Sequence, residues 1–356
     1  MKVLNYLKLR TLMLMVIVSS ALIFVSCGDD DDDSNGADKT ALNALIAEAD
    51  ELAMEADDAD YPQTAIDAYK TSLASIKSAS GGNRTQAEIN NLETQLKQVM
   101  DTFKSKAYGF IDETTTLVAG WHFDEGTGTT ATAYSTTKHV ATFKTGSATV
   151  FATNAMAPTW VDGVKGGKAV YLNNGAHLEV PYTSAFLPTN LSISVWIKPL
   201  ELYENNYIVS QNYWNGYKLQ TQGGGKPFFT YKKVDGGIID ADNETDNSIK
   251  ADQWNHIVVT LNSTTKELMF YVNGTHTKTW TESDKTIGPI TQTLTAPDPQ
   301  PFLIGVVATE AEMGTWSWTE TPTSLGYFKG AIDELKLYNV ALAEGQVSKM
   351  YTDEKP

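Results

Sequence analysis

The residues whose types and spacing suggest chemistry are aromatic. Tyr203, Tyr207, Tyr213, Trp214 and Tyr217 crowd one stretch, with Asn206, Gln211, Asn212 and Asn215 between them, and Trp316 and Trp318 stand two apart in Gly-Thr-Trp-Ser-Trp-Thr. Flat rings stack on the apolar C–H faces of pyranoses, while neighbouring amides and carboxylates take the hydroxyls. Extended backbone puts side chains two apart on one face, so Trp316 and Trp318 can form one platform. Polar loops seldom expose bulky aromatics without use. The candidate carbohydrate-binding residues are therefore Tyr207, Tyr213, Trp214, Tyr217, Trp316 and Trp318. The bland alternative is that such rings plug the end of a β-sandwich.

Other chemistries find less support. The 356 residues include 27 Lys+Arg and 43 Asp+Glu, a formal charge of -16. That sign argues against nucleic acid, which is bound by neutralising phosphates, and against electrostatic docking on an anionic membrane. One Cys excludes an internal disulfide framework and a Cys-based zinc site, and five scattered His speak against a histidine metal cluster. No Ser/His/Asp signature is found, and Gly223-Gly224-Gly225 has no helix behind it to present amides to a phosphate.

The elements that must position these residues change along the chain. Lys2, Lys8 and Arg10 precede an apolar run at 11–25, followed by Ser26-Cys27-Gly28. The run is short for a membrane span and suits a signal peptide, with a transmembrane anchor as the alternative. Asp29 to Asp33 then make a like-charged run, which stays extended and solvated. Residues 38–107 carry helical spacing at Leu42, Leu45, Ile46, Ala49, Leu52, at Ile66, Tyr69, Leu73, Ile76, and at Ile89, Leu92, Leu96, Val99, Phe103. Tyr61-Pro62 and Gly81-Gly82 mark the breaks, and Thr85 with Glu88 fits a capping box. Three antiparallel helices are expected. From 116 the pattern has period two with Gly, Asn, Thr and Pro between short runs, as in Leu191–Ile197, Ile257–Leu261 and Leu268–Val272, and Asn273-Gly274 signals a two-residue hairpin. A single antiparallel sandwich over 116–352 is expected, with a short helix at Ala343 to Tyr351.

Three resemblances attach to these segments. Ile23-Phe24-Val25-Ser26-Cys27 resembles a bacterial lipoprotein signal, although Phe24 departs from the usual Leu. It implies removal of residues 1–26 and acylation of Cys27, and a Cys followed by an acidic tether (27–37) resembles the surface-export signal of Bacteroidetes lipoproteins. This implies a lipid-anchored protein exposed on the cell outer membrane. Leu42-Asn-Ala-Leu-Ile-Ala-Glu-Ala49, Ala68-Tyr69 with Leu73, and Thr85-Gln-Ala-Glu-Ile89 resemble the FIVAR repeat, a helical spacer of cell-surface proteins. Leu117–Gly126, Trp160-Val-Asp-Gly163, Gly167-Lys-Ala-Val170, Leu178-Glu-Val-Pro181, Ser192–Pro199, Trp254-Asn-His-Ile257, Tyr271-Val-Asn-Gly274, Phe302-Leu-Ile-Gly305 and Phe328–Leu335 resemble a LamG-like jelly roll of the concanavalin A-like lectin/glucanase superfamily.

The fold class implied is mainly β, a jelly-roll sandwich behind a small three-helix bundle. The superfamily's glucanases carry Glu-x-Asp-x-x-Glu on an inner strand, a motif not found in 117–351; the nearest pairs are Glu201/Glu204, Asp240/Asp242 with Glu244, and Asp333/Glu334. The resemblance also implies a structural calcium, with Asp333 a ligand and backbone carbonyls near the first strand, around Asp124, and at Gly175 as others; the alternative is that Asp333 accepts hydrogen bonds from turn amides. The function expected is non-catalytic capture of a polysaccharide or glycoconjugate at the cell surface, beside a glycan-import partner. The alternatives are a protein-binding adhesion module and a glycoside hydrolase with an unrecognised carboxylate pair.

Overall fold

A computed structural model describes residues 37–58, 60–295, 297–316 and 326–356. Cys27, its signal segment, the acidic run at 29–33 and Trp318 lie outside the described residues. Three helices open the described chain: α1 (Thr40–Glu55), α2 (Gln63–Ala79) and α3 (Gln86–Lys104). They close on the residues that carry the helical spacing, among them Leu42, Ala49, Ile66, Tyr69, Leu73, Ile89, Leu96 and Phe103. Phe103 stacks between Tyr61 and Tyr69, at 4.2 and 4.3 Å. Thr85 and Glu88 form the expected capping box, and Pro62 is the N-cap of α2. Among the described residues no helix is long and apolar enough to cross a membrane.

The remainder is an antiparallel two-sheet sandwich. Its first strands are β1 (Leu117–Trp121), β2 (Thr130–Thr132), β3 (Val140–Lys144), β4 (Thr159–Asp162), β5 (Lys168–Leu172) and β6 (His177–Val180). The middle of the chain supplies β7 (Leu191–Pro199), β8 (Asn206–Gln211), β9 (Tyr217–Gln222), β10 (Lys226–Lys232) and β11 (Ile238–Asp242). The last are β12 (Asn255–Asn262), β13 (Glu267–Val272), β14 (Thr275–Trp280), β15 (Phe302–Ile304) and β16 (Gly330–Tyr338). A back sheet runs β14-β13-β12-β7-β16-β5-β4, with β1 also on β16, and a front sheet runs β11-β10-β9-β8-β15-β6-β3-β2. Asn273 and Gly274 both have positive φ, as a tight hairpin turn between β13 and β14 requires.

Period two decides what faces what. Trp121, Val195, Ile197, Leu219, Phe229, Tyr231, Ile257, Phe270, Phe302 and Ile332 interdigitate between the sheets. Each sheet also carries apolar residues on its outer side. The back sheet is covered by α4 (Glu344–Glu354), whose Val347 and Met350 pack with Val258, Tyr271 and Tyr338. The front sheet is covered over part of its width near residues 150, 306–316 and 327, where Phe151, Val306, Val307, Met313 and Tyr327 bury Leu303. Its other part, the outer face of β8 to β11, is left as a groove.

Candidate functional site

The wall of this groove starts at the β8–β9 connection. Asn212 and Tyr213 both take positive φ, at 53° and 44°, which is strained for a tyrosine. The turn is tied down nonetheless. Gln300 N–H donates to Asn212 Oδ1 at 2.7 Å, Asn212 Nδ2 donates to the Pro297 carbonyl at 3.1 Å, and Tyr213 N–H donates to Ser210 Oγ at 3.0 Å. At Gly216 a side-chain carbon would stand 2.1 Å from the Gln211 carbonyl oxygen, so the turn closes only with glycine there.

This turn carries Trp214 to meet Trp316 from the loop after β15. The two indoles lie 5.3 Å apart, inclined by 34°, and both are half-buried. Tyr213 props them from beneath, 4.4 Å from Trp214 and edge-on to Trp316 at 5.2 Å. Glu312 Oε1 accepts from the Tyr213 hydroxyl at 2.7 Å and from Trp316 Nε1 at 3.3 Å. Burial, with Glu312 alongside, raises the Tyr213 hydroxyl above its ordinary pKa, so it stays protonated and donating. Two loops about a hundred residues apart in sequence thus form one aromatic edge.

The groove beside that edge has a volume of about 430 Å³ and is lined by Glu204, Tyr207, Trp214, Lys218, Gln220, Phe228, Thr230 and Asp240, among others. Its floor is a cross-strand ladder. Lys218 pairs with Thr230, and Thr230 with Asp240, while Gln220 pairs with both Tyr207 and Phe228. Thr230 Oγ1 donates to Asp240 Oδ1 at 2.5 Å. Burial pushes the Lys218 ammonium down to about 8, against the opposing pull of Asp240. Beyond Phe228 and Asp240 the surface continues into a more charged hollow of about 650 Å³, where Lys226 bridges Asp242 and Asp246 at 3.3 and 3.2 Å.

The aromatic residues expected at a sugar site separate into two groups. Tyr213, Trp214 and Trp316 come together, and Tyr207 lines the same groove although only 4% exposed. Tyr217 does not join them. It occupies the inward position of β9, is fully buried, and donates its hydroxyl to the Phe186 carbonyl at 2.9 Å. Strand parity turns it into the core and turns its neighbour Lys218 outward. The floor residues Lys218, Gln220, Phe228 and Thr230 do not stand out in the sequence, and Asp240 does so only as half of a carboxylate pair. Their signal is the polar half of the alternation in Tyr217–Gln222 and Phe228–Lys232, which matters only once that face is known to be open.

Asp240 and Asp242, one of the carboxylate pairs considered for hydrolysis, lie on a strand. They occupy alternate outward positions of β11, but Asp242 is held by Lys226 and accepts from Glu244 N–H at 2.7 Å. Asp333 and Glu334 diverge at a bulge in β16. Glu334 faces His122 Nδ1 at 2.9 Å and Lys336 at 2.8 Å.

Asp333 is 2% exposed, and its carboxylate accepts from Val164 N–H at 2.8 Å and Glu334 N–H at 2.9 Å. Burial pushes its pKa up to about 7, with the charges of Glu334 and Asp124 adding to the effect. Three oxygens crowd the Gly163 α-carbon beside it. Asp333 Oδ2 and the carbonyl oxygens of Gly166 and Lys168 converge to 2.7, 2.7 and 2.8 Å from the point where a Gly163 side-chain carbon would stand, and calcium accepts carbonyl ligands readily. Asp124 Oδ1 accepts from Lys168 N–H at 2.7 Å on the same turn. Gly175 is placed elsewhere, packed on Gly146 and Phe151 with its carbonyl 2.7 Å from His177 Nδ1. Among the described residues no three His, Cys, Asp or Glu side chains form a metal cluster, so an ion here would depend on the carbonyls.

Residues 172–348 match the Laminin_G_3 family, described as concanavalin A-like lectin/glucanases superfamily. No curated protein matches the chain. Among solved structures, domain 4 of AbnA, a GH43 extracellular arabinanase from Geobacillus stearothermophilus in complex with arabinotriose, is 19% identical with a TM-score of 0.47, covering 67% of this chain and 100% of that one. The binding domain of Paraclostridial Mosquitocidal Protein 1 is 18% identical with a TM-score of 0.46, covering 67% of this chain. The binding domain of botulinum neurotoxin DC in complex with SialylT is 12% identical with a TM-score of 0.44. The match spans about half of these last two, 52% and 51% of their chains.

Proposed function

Taking residues 172–348 as a concanavalin A-like lectin/glucanase domain, we propose that this protein is a non-catalytic glycan-capture module. The observation that carries the reading is the Trp214–Trp316 edge beside the polar floor of the groove on the outer face of β8 to β11. A sugar ring stacks on the indoles, and its hydroxyls meet Lys218, Gln220, Thr230 and Asp240. The floor spans three strand spacings, about 14 Å, which suits a short stretch of oligosaccharide better than one ring. Single contacts of this kind are weak, and many anchored copies compensate through avidity.

Affinity gels containing a panel of polysaccharides test the reading, with the incubated glycans checked for cleavage. Retardation on one glycan without products supports capture. Trp214→Ala and Trp316→Ala should each weaken that binding by about 2 kcal/mol, roughly thirtyfold. Unchanged affinity in both would remove the assignment, and appearance of products would favour the hydrolase alternative. Retention on no glycan would move the assignment to a protein partner.

The same proposal places the chain on the outer face of an outer membrane, held by a lipid on Cys27 and raised by its acidic tether and the α1–α3 spacer. Cys27→Ser should then shift the protein from the membrane to the soluble fraction of the cell. A variant that stays with the membrane would exclude this anchor. Calcium at Asp333 belongs to the proposal as a structural ion, with the Gly166 and Lys168 carbonyls sharing it.

A further inference from the structure

The groove floor holds a buried ammonium. Lys218 is 6% exposed, with Nζ 5.1 Å from the ring centroids of both Tyr207 and Phe228. Nζ donates to Gln220 Oε1 at 2.6 Å. Among the described residues no carboxylate comes within ion-pairing distance of it, and Asp240 acts on it only through space. Burying an ammonium without a counter-ion is unfavourable, and perturbed charges of this kind gather at functional sites. An ammonium has three N–H donors, and among the described residues Gln220 takes up one.

The same lining holds acceptors. Asp240 lies two strands away on the Lys218–Thr230–Asp240 ladder, and Gln222 Oε1 is buried with no hydrogen-bond partner among the described residues. A ligand that completes this set must both accept from Lys218 and donate to Asp240 and Gln222. Neighbouring sugar hydroxyls do both. A carboxylate or sulfate group only accepts, and would meet Asp240 and Glu204 on the same wall.

We infer that the groove takes an uncharged sugar, and that Lys218 is its specificity-determining contact, donating to one hydroxyl while Asp240 and Gln222 each accept from a different one. The inference rests on the glycan reading of the groove. Lys218→Met keeps the aliphatic stem between Tyr207 and Phe228 and removes only the charged head, so its melting temperature should equal or exceed that of the wild type.

The test is affinity electrophoresis of the full chain, its Lys218→Met variant and its Trp214→Ala variant. The gels carry linear arabinan, laminarin, xylan, galactomannan or polygalacturonate. Expected is retardation of the wild type by a neutral glycan and not by polygalacturonate, with at least a tenfold weakening in folded Lys218→Met, as for loss of a charged hydrogen bond. Preference for polygalacturonate would overturn the inference. So would wild-type affinity in Lys218→Met while Trp214→Ala has lost binding, an outcome that leaves the glycan reading standing. Wild-type affinity in both variants, or no retardation on any gel, would end the reading and the inference together.

Discussion

Replacing His256 with Gln should remove one proton's worth of acid destabilisation from the sandwich between pH 6.5 and 4. His256 is fully buried on β12 beneath α4. Its ring stacks with Trp196 at 5.0 Å and Tyr351 at 6.1 Å, and Nε2 lies 2.8 Å from Ser194 Oγ. Nδ1 has no partner among the described residues. Burial, reinforced by the Lys336 ammonium, pushes its pKa down from 6.5 to about 3. The native protein keeps this imidazole neutral while the unfolded chain takes up a proton below 6.5. Its contribution is therefore complete above pH 6.5 and is lost as pH falls towards 3. The full shift corresponds to about 5 kcal/mol, lost at roughly 1.4 kcal/mol per pH unit. Urea unfolding of wild type and His256→Gln between pH 7 and 4 measures it, because the other groups cancel in the difference. Parallel slopes would show that the ring does not act in this way.

Asp333 should act in the opposite sense, and calcium should reverse it. Its folded pKa of about 7 lies above the ordinary 3.8. The native protein therefore holds this proton more tightly than the unfolded chain does. The associated stability is fully present below pH 3.8 and is lost as pH rises to 7, by up to about 4 kcal/mol. In chelator at pH 8, Asp333→Asn should be more stable than the wild type, because removing a buried charge outweighs the one bond it gives up, the amide oxygen accepting from Val164 or Glu334 N–H but not from both. With calcium the order should invert: wild type should gain several kcal/mol and Asp333→Asn should not respond. Melting curves of both proteins in calcium and in chelator decide this. A wild-type melting temperature indifferent to calcium would remove the ion from the proposal, and greater stability of wild type in chelator would remove the pH argument.

Much of the architecture was legible in the residues. Helical spacing and the Thr85–Glu88 box mark α1 to α3 because a helix must bury one stripe and satisfy its first amides. Alternation and Asn273-Gly274 mark antiparallel strands because side-chain parity and positive φ are local demands. The aromatic clusters at 213–214 and 316 were visible for the same local reason. Which of them meet was not. Only the tertiary structure turned Tyr217 inward and Lys218 outward, since parity becomes a face only when one side of a sheet is covered. Only the tertiary structure joined Trp214 to Trp316, placed Asp240 beside Lys218 on a shared floor and set Asp333 against the turn at Gly163. A side chain's type is written in the chain, but its solvation and its partners are set by segments far away in sequence, and those decide which charges stay buried and which face remains open.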